Sequence, residues 1–205
     1  MKKTSVVLFL MIMVSAISAA TLTTYIHDKA GFLLATGASQ ATNAYNGAGG
    51  VSSYNAPGAF GTIAFVTLSS SLYFNQDWTT ALPGYDLAIS DKESFQVTLP
   101  VLAYAFGLDV YDSVGDQSTF TVTLLNNTTT VGSFTFNVPD NVASFVGVFS
   151  DTAFNKVQVV ETVGDATNDY FGMLYLTTTP VPEPATLFLM ALAMLFLARK
   201  KLSVR

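Results

Sequence analysis

From Thr62 to Tyr175 large apolar side chains recur on alternate positions in short runs. The runs are Thr62–Leu68, Tyr85–Ile89, Phe95-Val97-Leu99, Tyr104-Phe106-Leu108-Val110, Phe120-Val122-Leu124, Phe134-Phe136-Val138, Phe145–Phe149, Val157–Val160 and Phe171-Met173-Tyr175. A period of two sends successive side chains to opposite faces, so each run predicts a strand with one face in a core. Turn-forming clusters separate the runs: Leu82-Pro83-Gly84, Ser113 to Ser118, Asn126 to Gly132, Pro139-Asp140-Asn141 and Gly164 to Asp169. No helical period is visible between the two chain ends. The pattern therefore predicts an all-β fold, an antiparallel β-sandwich that is jelly-roll-like, since closure into two sheets manages the edges of so many strands. Residues Ala38 to Gly61, rich in Ala, Ser, Asn, Tyr and Gly, read as a loop-like opening with too few large apolar residues to form core.

The two ends break the alternation. Met1 to Ala20 reads as a signal peptide, with Lys2 and Lys3 as the basic start, Val6 to Val14 as the apolar stretch and Ser18-Ala19-Ala20 as the cleavage site. The last 25 residues form a second unit: Val181-Pro182-Glu183-Pro184, an apolar run from Ala185 to Ala198, and a basic end with Arg199, Lys200, Lys201 and Arg205. The prolines allow a helix to start only at or just after Pro184. The run is apolar on all faces, the pattern of a lipid-facing segment. At about 1.5 Å per residue it reaches only about 21 Å, against a hydrocarbon layer of roughly 30 Å. It is thus a short spanner whose basic end stays cytoplasmic. Residues 1–20, 21–180 and 181–205 are then signal peptide, β-sandwich ectodomain and sorting tail.

The order Pro182-Glu183-Pro184, apolar run, Arg199-Lys200-Lys201 resembles the PEP-CTERM sorting signal of exported bacterial proteins. Such tails are also labelled the C-terminal domain of ice-binding proteins, a label that says nothing about ice here. The resemblance implies recognition and removal by exosortase, an integral-membrane cysteine protease, with only transient residence in the inner membrane. It assigns the sorting signal to Pro182, Glu183, Pro184, Arg199, Lys200 and Lys201. An ordinary tail anchor is the alternative, and it has no need of Pro-Glu-Pro. A looser similarity links the middle of the chain to all-β domains of PEP-CTERM proteins. It is carried by Leu82-Pro83-Gly84 with Asp86-Leu87-Ala88-Ile89, Tyr104-Ala105-Phe106-Gly107, Phe145-Val146-Gly147-Val148 and Asp169-Tyr170-Phe171-Gly172. That similarity implies a sandwich related to carbohydrate-binding modules, without assigned catalytic residues.

Charge narrows the partners. Removing both terminal units leaves 3 of the 9 basic and 13 of the 14 acidic residues, a net charge of −10 against −5 for the whole chain. Nucleic acid is thereby disfavoured and cations are favoured. The chain has no cysteine, which excludes disulfides, thiol catalysis and thiolate metal sites.

Candidate chemistry is sparse. His27 is the single histidine, read as a surface residue near a frayed N-terminus, so a Ser-His-Asp triad and a His-rich zinc centre are disfavoured. Glu93 and Glu161 are the two glutamates between Thr21 and Pro180, and nothing in the sequence brings them together as a glycosidase pair would require. They read as ionised surface residues or members of a salt bridge. Acidic turns offer more: Asp109, Asp112, Asp116, Asp151 and Asp169 are either solvated turn residues or, some of them, ligands of a structural Ca²⁺, which takes six to eight oxygens from flexible loops. Trp78, the one tryptophan, sits in the polar segment Tyr73 to Trp78 and either stacks on a sugar or caps the core. The chain is thus expected to be an exported envelope or extracellular-matrix protein sorted by an exosortase, not an enzyme, associated with or binding polysaccharide. A matrix glycan hydrolase and a purely structural adhesin are the alternatives.

Overall fold

The computed structural model describes residues 20–180, except 43, 44, 46, 48, 114, 116 and 165–168. Residues 1–19 of the expected signal peptide (1–20) and all of the sorting tail (181–205) lie outside the described residues. Within them, no helix is long and apolar enough to cross a membrane. The chain forms β1 (Leu22–Ile26), α1 (Lys29–Thr36), β2 (Ser39–Gln40), β3 (Gly49–Val51), β4 (Ser53–Gly58), β5 (Gly61–Thr67), β6 (Leu72–Tyr73) and β7 (Leu87–Ile89). Then come β8 (Phe95–Asp112), β9 (Ser118–Asn126), β10 (Thr129–Val138), β11 (Ser144–Val163) and β12 (Asp169–Thr177). All strand pairs are antiparallel and belong to one hydrogen-bonded network of 12 strands. The all-β, antiparallel expectation holds.

Two long strands organise that network. The first half of β8 pairs with β5 and with the second half of β11, whose outer neighbour is β9 and then β10. The second half of β8 pairs with the first half of β11, which carries β1, and with β12, which carries β7 and β2. Straight, the 15 steps from Phe95 to Val110 would span roughly 50 Å. Yet Phe171, the partner of Val110, lies with its ring 4.8 Å from that of Phe95 and 5.6 Å from that of Phe120. The strand must turn back over its own core. Register breaks between Phe149 and Phe154 and between Phe154 and Lys156 mark the corner, opposite a stretch of β8 that contains Pro100, which has no ladder donor to lose. The sequence pattern divides these residues into four runs; the structure joins them into two strands because a bulged corner bends a ladder without ending it.

The alternating positions form the core as expected: Phe65, Phe95, Val97, Phe106, Leu108, Val110, Phe120, Val122, Val157, Val159 and Phe171 are all buried in one cluster. Two expectations are corrected. The opening from Ala38 to Gly61 contains β2, β3 and β4, with β4 paired to β5 along its whole length from Ser53↔Val66 to Gly58↔Gly61. Its small and polar residues suit an edge strand, where the partner supplies the order, and Pro57 is tolerated there.

The other correction is α1, where no helix is expected. Eight residues are too few to display a helical period, but the caps are present. The Asp28 carboxylate accepts the Gly31 N–H at 2.8 Å, and Gly37, at φ 63°, ends the helix with its N–H on the Leu33 carbonyl. The helix lies on the outer face of β8, β11 and β12, where Phe32 joins Ala105, Phe145, Met173 and Tyr175 in a second apolar cluster. Its ring sits on Gly107 and Gly147, which face each other in the ladder; a Cβ on either would stand 2.6–2.8 Å from the Phe32 ring. The missing side chains make the seat for the helix.

Candidate functional site

The segment between β6 and β7 leaves the sheet and carries Trp78. It is pinned from below by Asp86, fully buried, whose carboxylate accepts the Trp78 N–H at 2.9 Å and the Thr79 N–H at 3.2 Å. Burial raises the pKa of Asp86, and these two donors oppose the shift. Trp78 is 37% exposed, and its indole meets the Tyr73 ring edge-on at 6.0 Å. Trp78, Tyr73, Ile89, Ser90, Tyr170 and Asp169 line a cleft of about 350 Å³. Tyr170 in turn stacks against Tyr111 at 6.4 Å. The result is a shallow aromatic wall with few polar groups, the usual make-up of a small-molecule or sugar subsite.

At Asp169 the cleft borders a set of polar residues, most of them acids, that end the alternating core columns. Glu93 stands two residues before Phe95, Asp112 two after Val110, Ser118 two before Phe120, Glu161 two after Val159 and Asp169 two before Phe171. Each is therefore the next inward position of its column, and all five are buried. One carboxylate oxygen from each of Glu93, Glu161 and Asp169 lies within 4.8 Å of the other two. The Glu93 N–H donates to Glu161 Oε2 at 2.7 Å, the Glu161 N–H to Ser94 Oγ at 3.1 Å and the Ser118 N–H to Asp112 Oδ2 at 3.1 Å. Glu161 Oε1, both oxygens of Asp169 and Ser118 Oγ have no hydrogen-bond partner among the described residues. Burial pushes the Asp169 pKa up to about 8; the nearby Ser118 hydroxyl works against this, and the charges of Asp112 and Glu161 add to it. Asp112 is raised by burial too, opposed by the Ser118 N–H and reinforced by Asp140.

The residues singled out from sequence thus separate. Asp112 and Asp169 meet, directly opposite each other in the ladder. Asp109 points to the other face of the same strand, where it forms an ion pair with Lys29 at 2.9 Å and accepts from the Tyr175 hydroxyl at 3.1 Å. Asp151, exposed, accepts the Thr21 N–H at 3.1 Å. Asp116 lies outside the described residues, as do Pro182, Glu183, Pro184, Arg199, Lys200 and Lys201. His27 is exposed but its backbone is held: it precedes the helix cap and its N–H donates to the Phe145 carbonyl at 2.8 Å. Glu93 and Glu161 overturn the reading of separate surface charges, because the structure buries both in one cluster. The signal that could have found them is the two-residue offset from a buried column, visible as Glu-Ser-Phe-Gln-Val and Val-Val-Glu.

A single antiparallel all-β body between two chain ends of different character defines the general class. Residues 180–201 match the PEP-CTERM protein-sorting motif. The motif implies export, processing by exosortase, a membrane protease, and sorting to the envelope or extracellular space. No curated protein matches the chain. Among solved structures, the enzymatically active domain of bacteriophage CBA120 tailspike protein 4 aligns at 14% identity and TM-score 0.30, over 79% of this chain but only 20% of its own. This chain therefore spans about a fifth of that protein. A CBM4 structure aligns at 15% identity and TM-score 0.28, over 75% of this chain and 86% of its own. Similarity at this level assigns neither ligand nor activity.

Proposed function

We propose that the mature protein is a non-enzymatic, polysaccharide-associated component of the envelope or extracellular matrix, which holds sugar against Trp78. The supporting observation is the cleft itself: a partly exposed indole, fixed through its backbone by Asp86 and set edge-on to Tyr73, beside Tyr170 and Ser90. An apolar ring face with a polar rim fits a pyranose, whose axial hydrogens make one side apolar. The net charge of −10 between the terminal units disfavours polyanionic chains and favours neutral glycans. Hydrolysis is disfavoured by the same geometry. Glu93 and Glu161 are 0% and 4% exposed and do not line the cleft, whose one lining carboxylate is Asp169, whereas a glycosidase needs two facing acids.

Because Trp78 is the one tryptophan, emission excited selectively at the indole, beyond tyrosine absorption, reports on the cleft. Titration with soluble neutral glucan and mannan should shift or quench the emission, whereas alginate should not. Trp78→Ala should remove retention on the neutral glycan while lowering the melting temperature little. Loss of one stacking ring corresponds to about 0.5–1.5 kcal/mol beyond lost burial, up to roughly tenfold in affinity. A destabilised variant with undiminished retention would refute the binding platform.

A further inference from the structure

We propose that Glu93, Glu161 and Asp169, with Ser118, form a buried binding site for one divalent cation of the calcium type. This goes beyond the sugar-binding reading and does not depend on it. Proximity of acids alone would not suffice. The independent observation is the state of the oxygens: Glu161 Oε1, Asp169 Oδ1 and Oδ2 and Ser118 Oγ have no partner among the described residues, in side chains no more than 4% exposed. Buried polar atoms of native proteins are almost always paired, and buried charge is paired or bound to metal. The neighbouring donors have other roles. Glu161 Oε2 already takes the Glu93 N–H, while Oε1 and Ser118 Oγ lie together against Gly164. Of the three lysines between Thr21 and Pro180, Lys29 is held by Asp109 on the outer face, and none forms an ion pair with Glu161 or Asp169 among the described residues.

Space and chemistry agree on the ion. Gly164, at φ 145°, lies against the cluster, and any Cβ there would run into Glu161 Oε1 and Ser118 Oγ. The backbone thus leaves these two oxygens uncovered by a side chain. The donor set is all oxygen and carboxylate-rich, with neither imidazole nor thiolate, which selects hard cations over zinc or copper. A site sealed by the core columns requires the ion to shed most of its water. Mg²⁺ does so reluctantly and demands octahedral geometry, whereas Ca²⁺ accepts six to eight oxygens in an irregular shell. Bound there, the ion would tie the residue leading into β8 to the starts of β9 and β12 and the end of β11, joining four strands at one end of the core.

The test uses the full chain in detergent micelles, stripped with chelator. Tb³⁺, a luminescent stand-in for Ca²⁺, should show saturable emission on aromatic excitation, since Trp78 and Tyr170 line the cleft that Asp169 also borders. Ca²⁺ should displace it. At about a hundredfold excess over Kd, Ca²⁺ should raise the melting temperature by about 5–10 °C, and Mg²⁺ by less. Glu161→Gln, which keeps an acceptor for the Glu93 N–H, and Asp169→Asn should each weaken Tb³⁺ binding by about tenfold or more, while Asp151→Asn should leave it unchanged. The site would be overturned by wild-type chain with neither saturable Tb³⁺ emission nor a Ca²⁺-dependent melting shift, or by Asp169→Asn binding as tightly as wild type. A rise in melting temperature for Asp169→Asn that is equal with Ca²⁺ and with chelator would likewise replace the cation by shared protons.

Discussion

Phe32 and the glycine pair beneath it show how much one residue type decides. Gly107 and Gly147 occupy facing positions where any side chain would meet the Phe32 or Phe145 rings. Gly147→Ala should therefore cost about 1–3 kcal/mol by overpacking, and Phe32→Ala about 3–5 kcal/mol by leaving a cavity. The double variant should cost clearly less than the two single losses together, because the added methyl enters the space the ring vacates. Denaturant melts of the four proteins measure this coupling. Simple additivity would mean that the ring does not rest on the glycines. Most phenylalanines of the main core were legible from their alternation, though Phe74 and Phe154 fall in no run; Phe32 was not legible, because its partners are absences of side chain at distant positions.

For an element, the informative case is α1 and the polar contact that fastens it. Lys29 Nζ lies 2.9 Å from both oxygens of Asp109, 2.6 Å from the Tyr175 hydroxyl and 4.3 Å from the centre of its ring. Burial alone would lower the pKa of Lys29; the hydrogen bonds to Tyr175 and Asp109 outweigh it and raise the value above 10.5. The sign follows: a lysine whose pKa is raised on folding contributes stability throughout the range below 10.5, and loses it as pH rises through the higher folded value. Burial also raises the pKa of Tyr175, opposed by Lys29, so its contribution fades in the same direction. Lys29→Met should melt below wild type at neutral pH, and the gap should narrow above about pH 11. A gap that is constant with pH would show that only the packing of the lysine chain matters. The structure shows Asp28 and Gly37 as its cap and stop, but neither the helix nor the face it covers was expected from sequence, since β8, β11 and β12 lie far along the chain.

For the whole molecule the chain ends carry the address and the β body carries whatever work is done on arrival. Replacing Pro182-Glu183-Pro184 by three alanines should leave the precursor in the membrane with its tail attached, because the matched motif at residues 180–201 loses its signature. Mass spectrometry of the protein released from cells decides this. An intact Arg205 on released wild-type protein would be incompatible with tail removal.

The sequence by itself determined the all-β class, many of the inward residues and the sorting tail, since these are written in local order: alternation, turn chemistry, and three tail segments in succession; it missed the register break after Phe171 that turns Met173 and Tyr175 to the outer face. Tertiary structure decided where strands turn and which strand ends meet. Period-two patterning states which face a residue occupies, but it is silent on which other columns end beside it. Glu93, Asp112, Ser118, Glu161 and Asp169 look like scattered polar residues along the chain. They converge because β8 and β11 bend around one core and bring the ends of five inward columns together, a consequence of long-range pairing that no short window of sequence contains.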